Sequence, residues 1–191
     1  MGEREQVADE IIELGRLLHG SGIFRARAGN ISARLGDGTL LITTPSTHKG
    51  LLRPADLIAL DGDGAPLEPG ASSSETPLHL AAYRASPRIG AVLHAHPVAC
   101  TVLAHRGLAL AAGLAEEGRP VLGEPPLLDE ADLAARDAAW GAAVAAGTRA
   151  ALLARHGAIV AGADLRDAFC KIELCEWIAE LQLRLAALGA P

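Results

Sequence analysis

The short turn at Gly36-Asp37-Gly38 constrains the fold more than any other feature, because it separates two runs of strand-favouring residues. Residues 28–35 precede the turn and residues 39–43 follow it. Two strands joined by so short a connection pair antiparallel, since a parallel pair needs a long crossover. A purely parallel sheet is therefore excluded, and the sheet is expected to be mixed or mainly antiparallel.

Helical periodicity recurs on either side of this hairpin, which predicts helices on both faces of the sheet. In residues 3–19, one stripe of a helix carries Val7, Ile11, Leu14 and Leu18. The remaining pattern predicts, in chain order, a strand at 57–60, a helix at 75–84, a strand at 89–96, a helix from Pro97, a brief strand near Val121, a helix at 130–146, two strands within 150–160, and a last helix from Asp164 to about residue 188. Ser73 or Ser74 is the expected N-cap of the helix at 75–84, with Glu75 in its first turn.

Size and charge narrow the class of protein. A chain of 191 residues suits a single domain, expected to span residues 1–191. With 17 Lys and Arg against 23 Asp and Glu, and no basic cluster, nucleic-acid binding is not expected. The start of the chain lacks the apolar core of a signal peptide, and no apolar run is long enough for a bilayer, so we expect a cytoplasmic protein without a membrane partner.

The three cysteines, Cys100, Cys170 and Cys175, form no CxxC pair and are odd in number. Disulfides are therefore not expected. Cys170 and Cys175 lie in a segment with helical periodicity, where a free cysteine is usually a small buried apolar residue.

The pair His94-Ala95-His96 points to metal chemistry, because residues two apart on a strand face the same side. Two imidazoles can then share one ion, and catalytic sites usually have three protein ligands and an open position. His156, beside Gly157 at the end of an apolar strand, is the expected third ligand. A lone HxH pair would more often be two hydrogen-bonded histidines. Its combination with His156 and with Glu75 after a serine-rich loop favours the metal hypothesis.

Five segments, taken together, resemble the class II aldolase/adducin family in order and spacing: Gly29-Asn30-Ile31-Ser32, Thr44-Pro45-Ser46, Ser72-Ser73-Ser74-Glu75, residues 91–97 and residues 152–157. The resemblance implies a three-layer α/β/α fold with a mainly antiparallel sheet, assembled as a homotetramer with active sites at subunit interfaces. It also implies one Zn²⁺ per subunit on His94, His96 and His156, with Mn²⁺ or Co²⁺ as alternatives. Glu75 matches the family's acidic residue, a fourth ligand or a proton carrier.

The resemblance further implies a pocket for the phosphate of a small phosphorylated sugar, with Asn30, Ser46, Thr47, Ser73 and Ser74 as contacts. Small hydroxyl groups and free backbone amides suit an oxyanion. On their own, Ser73 and Ser74 would rather be a plain loop and helix cap. The family's aldolases carry Thr-Gly where this chain has Ser46-Thr47, so a branched side chain stands where glycine is favoured.

The second proton-transfer group departs from the aldolase pattern. The fuculose-phosphate aldolases of the family use a tyrosine about twenty residues after the HxH pair, whereas this stretch reads Gly113-Leu114-Ala115-Glu116-Glu117. Glu116 or Glu117 resembles the glutamate of the dehydratase branch, and a solvated loop is the alternative reading. His48-Lys49-Gly50 also resembles that branch.

Other histidines have more ordinary interpretations. His79, one turn after Glu75, is expected to orient Glu75 or to cap a carbonyl. His19, His48 and His105 are expected on the surface or in loops, with His48 near enough to the predicted phosphate loop to touch substrate.

The family resemblance favours a zinc-dependent sugar-phosphate aldolase that splits a ketose 1-phosphate into dihydroxyacetone phosphate and an aldehyde through an enediolate. The alternative is a dehydratase of a ketose phosphate, such as methylthioribulose 1-phosphate, or a decarboxylase or epimerase that uses the same metal site. A non-catalytic, adducin-like interaction module is the alternative from another class of protein.

Overall fold

The computed structural model describes residues 2–189 and joins their strands in one seven-stranded sheet. The strands are β1 (Asn30–Arg34), β2 (Leu40–Thr43), β3 (Leu57–Leu60), β4 (Ala91–Ala95), β5 (Leu127–Leu128), β6 (Ala150–Leu153) and β7 (Gly157–Gly162). Their order across the sheet is β3-β2-β1-β4-β7-β6-β5. Neighbours pair antiparallel except β5 and β6, which are parallel. The mainly antiparallel sheet is therefore confirmed.

Helices cover both faces of this sheet. They are α1 (Glu3–Gly20), α2 (Thr76–Ala85), α3 (Val98–His105), α4 (Gly118–Leu122), α5 (Leu133–Ala145) and α6 (Leu165–Ala187). Residues of α1, α3 and α6 join one buried apolar cluster, whereas α2 and α5 join the other. The three-layer fold expected from the resemblance is thus confirmed.

The core is filled mainly by aliphatic side chains. Ile11 and Leu18 of α1 are fully buried on one side of the sheet, and Trp140 of α5 is fully buried on the other. Full burial of one such side chain stabilises the fold by about 1.5–3 kcal/mol. The strands between the two layers are buried on both faces, so the central residues of the sheet are held in a fixed register.

Two predicted elements differ in the structure. Val121 lies in α4 and not in a strand, and the nearby strand is Leu127–Leu128. A pair of apolar residues is too short to establish a period, so the sequence could not locate this strand. The helix expected from residue 130 begins at Leu133, because the Asp132 carboxylate accepts hydrogen bonds from the backbone nitrogens of Ala134 and Ala135 and caps it. Glu130 consequently lies outside the helix.

The start of α2 is also shifted. Thr76 is the first helical residue, and Glu75 occupies the N-cap position instead of the first turn. Ser73 Oγ accepts a hydrogen bond from the backbone nitrogen of Glu75 at 3.2 Å and so fixes the loop that precedes the helix, but it does not cap the helix.

Cys100 and Cys175 are buried free thiols, whereas Cys170 is exposed. The expectation of a buried Cys170 is wrong, because the buried stripe of α6 passes through Ala168, Ile172 and Cys175 and leaves Cys170 on the outer side. Within residues 2–189, no helix is both long and apolar enough to cross a membrane. Of the single domain predicted over residues 1–191, residues 1, 190 and 191 lie outside the described part of the chain.

Candidate active site

Two neighbouring strands bring the three predicted metal ligands together. His94 lies in β4, and His96 follows one residue after the end of that strand. His156 lies in the turn between β6 and β7, and β7 pairs antiparallel with β4. The turn thereby carries His156 to the end of β4 where the HxH pair stands.

Gly157 allows this close approach. A Cβ atom at Gly157 would overlap the carbonyl oxygen of Ala95 and would lie 2.7 Å from Cδ2 of His96. Arg155, two residues earlier, has the left-handed value φ = 60°, which tightens the turn that presents His156. The backbone of this turn therefore allows His156 to lie close to the other two histidines.

The geometry of the three imidazoles fits one divalent ion. Their ring centroids lie 4.7–4.9 Å apart, and their ligand atoms all lie within 4.8 Å of one another. The Nε2 atoms of His94 and His96 are 3.0 Å apart. Two nitrogens bound to one zinc ion at about 2.0–2.1 Å lie at roughly that separation. The donor set is therefore suited to an ion with three protein ligands.

Hydrogen bonds on the outer side of the rings orient two of these ligands. His94 Nδ1 donates to the carbonyl oxygen of Ala158 at 3.0 Å, and His156 Nδ1 donates to Glu130 Oε2 at 2.9 Å. Both acceptors require a proton on Nδ1, which leaves the Nε2 lone pair free to bind a metal. Burial lowers the pKa of His94 well below its usual range and lowers the pKa of His96 to about 4, with His156 adding to both shifts. The rings of His94 and His96 are thus neutral near pH 7, the form that binds metal.

Glu75 stands on the wall of the same cavity as the histidines. Its carboxylate is not part of the three-histidine cluster, and its Oε2 lies 3.3 Å from Nη1 of Arg136. Burial raises the pKa of Glu75, although Arg136 and His156 partly offset that rise. A carboxyl group with a raised pKa beside a metal site is suited to proton transfer.

The cavity has a volume of about 280 Å³ and contains four of the five predicted phosphate contacts. These are Asn30, Ser46, Ser73 and Ser74, and the other lining residues besides the histidines and Glu75 are Arg27, Gly29, Thr44, Pro45 and Lys49.

Thr47, the fifth predicted contact, does not line the cavity. Its hydroxyl group donates to the carbonyl oxygen of Thr44 at 2.8 Å and so braces the turn from within. The left-handed backbone falls at Ser46, with φ = 60°, so Thr47 does not occupy a strained position.

A buried hydrogen-bond chain orients Asn30. His79 Nε2 donates to Asn30 Oδ1 at 2.5 Å, while His79 Nδ1 lies 2.7 Å from Ser32 Oγ. Ser32 Oγ in turn lies 2.8 Å from the hydroxyl group of Tyr83. His79 therefore positions Asn30 and not Glu75, because its side chain points from α2 toward β1.

Tyr83, at the end of this chain, is the only tyrosine of the protein. It is buried, and burial raises its pKa. It is therefore removed from the cavity and unsuited to proton transfer with a substrate.

Sequence reasoning gave no site role to Lys49, Arg136 or Glu130. The Lys49 ammonium is buried, donates to the carbonyl oxygens of Thr47 at 2.8 Å and Arg27 at 3.4 Å, and has a pKa lowered by burial to about 8. For Lys49, the only signal was the resemblance of His48-Lys49-Gly50. For Arg136, the sequence feature that could have indicated a role is the pair of charged residues Arg136-Asp137 inside an alanine-rich helix.

Glu116 and Glu117 are exposed and do not line the cavity of their own chain. Glu117 precedes α4, which packs on α6. His48 does not line the cavity either, and its ring lies 4.6 Å from the ring of His19.

Comparisons with known proteins agree with this geometry. The family model described as class II aldolase and adducin N-terminal domain matches residues 9–183. A methylthioribulose-1-phosphate dehydratase of Pseudomonas paraeruginosa (strain DSM 24068 / PA7) is 38% identical over 204 residues, which cover 97% of this chain and 98% of that protein. The same-named protein of Pseudomonas syringae pv. syringae (strain B728a) is 37% identical over 205 residues, covering 97% of this chain and 98% of that protein.

Among solved structures, L-fuculose-1-phosphate aldolase from Thermus thermophilus is similar, with a TM-score of 0.82 and 29% identity, covering 98% of this chain and 100% of that one.

Proposed function

Because the chain belongs to the class II aldolase and adducin family, we propose that it is a metal-dependent dehydratase of a ketose 1-phosphate, with methylthioribulose 1-phosphate as its substrate. The observation that carries this proposal is the similarity to dehydratase-named proteins at 38% identity across 97% of the chain. The aldolase favoured from the sequence becomes the second candidate, since the aldolase-named structure from Thermus thermophilus is 29% identical.

His94, His96 and His156 would hold the ion, because their converging nitrogen atoms fit a divalent metal. A divalent metal held there supplies a Lewis acid that polarises a carbonyl oxygen. Zn²⁺ is our first choice, and the same ligands also suit Mn²⁺ or Co²⁺.

The phosphate group would occupy the part of the cavity formed by Asn30, Ser46, Ser73 and Ser74. Their amide and hydroxyl groups can donate hydrogen bonds to an oxyanion, and Ser73 and Ser74 stand just before the N-terminus of α2, where the helix dipole favours negative charge. The buried ammonium of Lys49 adds positive charge on the same wall. This set of groups supports a phosphorylated substrate.

Glu75 is the proposed proton carrier. It would take the proton from the carbon next to the substrate carbonyl, and the hydroxyl group on the following carbon would leave as water after it gains a proton from an acid. The enol that remains becomes a dicarbonyl compound by tautomerisation, so the overall change is the loss of one water molecule. The pKa of Glu75, which burial raises above its usual value, supports both uptake and return of a proton.

The acid that protonates the leaving hydroxyl group is proposed to be Glu116 or Glu117. Both are exposed on the segment between α3 and β5, away from the cavity of their own chain. They would therefore act in the cavity of a neighbouring copy, in a homotetramer with active sites at its interfaces. An aldolase of the fuculose-phosphate type would need a tyrosine in this role, and the burial of Tyr83 argues against it.

A non-catalytic, adducin-like module is less well supported. The three histidines converge on one point, two of them have oriented outer hydrogen bonds, and Glu75 faces the same cavity. An interaction surface alone gives no reason for this arrangement.

The test is to purify the protein without chelator, measure its metal content, and supply methylthioribulose 1-phosphate and fuculose 1-phosphate separately. We expect about one metal ion per chain and formation of the dehydrated dicarbonyl phosphate from the first substrate. Release of dihydroxyacetone phosphate from the second substrate alone would shift the assignment to the aldolase. Metal without turnover of either would contradict both.

A further inference from the structure

Arg136 is a buried guanidinium group surrounded by three carboxylates. Only 2% of its side chain is exposed. Nη1 lies 3.3 Å from Glu75 Oε2 and 2.9 Å from Glu130 Oε1, while Nε and Nη2 donate to Asp137 Oδ1 at 2.9 and 2.8 Å. The planar donor fork of arginine makes contacts to several acceptors that a lysine ammonium does not reproduce.

Glu130 connects this group to the metal site. One oxygen of Glu130 accepts from Arg136, and the other accepts from His156 Nδ1 at 2.9 Å. The ring of His156 is thus oriented by a carboxylate whose own position depends on Arg136. The same Nη1 atom contacts Glu75, so one guanidinium group lies between a metal ligand and the proposed proton carrier.

The charges of the cluster also connect it to the ion. Glu75, Glu130 and Asp137 carry three negative charges, when all are ionised, against the single positive charge of Arg136. A divalent cation on three neutral imidazoles would balance this excess. Because unbalanced charge is costly where water is largely excluded, an ion bound there would stabilise the two carboxylates nearest the histidines, Glu75 and Glu130, which Arg136 also contacts.

We propose that Arg136 is a positioning residue that couples the metal centre to the proton carrier: through Glu130 it orients His156 toward the ion, and by direct contact it holds Glu75 at the cavity wall. The part of this inference that concerns Glu75 rests on the proposed function, whereas the part that concerns metal binding does not.

The metal arm of the test uses Co²⁺ and no substrate. Its affinity is measured by competition with a chelator, and its coordination by the visible absorption of the Co²⁺ protein. We expect Arg136→Met and Glu130→Gln each to weaken Co²⁺ binding by about 10–100-fold. Arg136 acts on His156 through Glu130. The double variant Arg136→Met/Glu130→Gln should therefore lose little more Co²⁺ affinity than either single variant. Arg184→Met, at an exposed arginine near the end of α6, is the control and should bind as the wild type does.

The catalytic arm compares kcat and KM in the metal-saturated protein. Arg136→Met should lower kcat by about 10–100-fold while KM stays within about twofold, because the phosphate contacts are untouched. Arg136→Lys keeps the charge without the fork and should recover only part of kcat. In the Glu130→Gln background, Arg136→Met should still lower kcat, since its contact with Glu75 is separate.

Wild-type Co²⁺ affinity and absorption in a folded Arg136→Met protein would overturn the inference, and so would additive losses in the double variant. If Arg136→Met does not fold, the Co²⁺ affinities of Arg136→Lys and Glu130→Gln provide the test. Wild-type Co²⁺ affinity in both variants would overturn the proposed coupling of Arg136 to the metal centre. If the wild-type protein turns over neither substrate, the proposed function fails. The Co²⁺ measurements, which need no substrate, still test whether Arg136 is coupled to the metal centre.

Discussion

Asn30 and His94 are directly opposite each other in the antiparallel register of β1 and β4. The first proposed metal ligand and the amide proposed to bind phosphate are therefore cross-strand neighbours. Because this register is set by strands buried on both faces, the distance between these two residues is fixed by the sheet and not by loops.

Replacement of His94 by alanine should abolish metal binding. Removal of one of three ligands is expected to weaken metal affinity by more than about 100-fold, beyond the loss caused by an outer hydrogen-bond partner. Metal content after dialysis measures the effect. His105→Ala, at an exposed histidine at the end of α3, is the matched control and should keep its metal.

The variant Glu75→Gln should lower kcat by about 10²–10⁴-fold, because the amide cannot accept and return a proton. Its metal content should be unchanged, since the Glu75 carboxylate is not part of the histidine cluster. Loss of metal in this variant would instead identify Glu75 as a fourth ligand. Glu13→Gln, on the exposed side of α1, controls for the change of charge.

The pH dependence of the free energy of unfolding should reveal the lowered pKa of Lys49. Burial lowers its pKa in the folded protein to about 8, against an unperturbed value of 10.5. Between these values the unfolded chain binds more protons, so the free energy of unfolding should rise as pH increases through this window. Lys49→Met should remove that rise, which urea unfolding across the window measures. An identical rise in the variant would assign it to another group.

The same charge should influence substrate binding. As pH rises through about 8, Lys49 loses its proton, and KM for a phosphorylated substrate should increase. In Lys49→Met, KM should be high at all pH values and lack this dependence. A variant with the wild-type KM profile would show that the ammonium does not contribute to phosphate binding.

Acid should destabilise the protein through His79. Burial lowers its pKa to about 3 from 6.5, so between these values the unfolded chain binds a proton that the folded chain rejects. Stability therefore falls as pH decreases through this range. His79→Gln should reduce the slope of unfolding free energy against pH by about 1.4 kcal/mol per pH unit. Equal slopes in both proteins, measured by urea unfolding, would contradict this.

Gly157→Ala should impair metal binding because the new methyl group would press on the Ala95 carbonyl oxygen and on the His96 ring. We expect a loss of Co²⁺ affinity of about tenfold or more, comparable to the loss of an outer hydrogen-bond partner. Gly62→Ala, where a Cβ meets no atom within 4 Å, is the control. Unchanged affinity in Gly157→Ala would mean that the turn relaxes at no cost.

The sequence predicted those features that depend on neighbours along the chain. The hairpin around Gly36-Asp37-Gly38 and the paired direction of His94 and His96 follow from local turn chemistry and from the alternation of a strand. His156 was identified by its position beside a glycine at a strand end, and the family resemblance supported it.

Features that depend on tertiary contacts were not predictable in this way. His79 is spaced to face Glu75 on one helix, yet the packing of α2 against the sheet turns it to Asn30. Arg136 and Lys49 are charged residues that ordinarily remain exposed, and only the assembled fold shows them buried. Glu130 and His156 are far apart in the sequence, so no local sequence pattern predicts their contact.

The proposed metal ligands and the proposed leaving-group acids lie on parts of the fold with different tolerance to change. His94 belongs to a buried central strand, whereas Glu116 and Glu117 are exposed residues outside the sheet. Substitutions at these two positions leave the buried register intact, while under the proposed function the acid supplied there selects the bond that breaks. Descendants of one such chain can therefore acquire new reactions while inheriting the same metal centre unchanged.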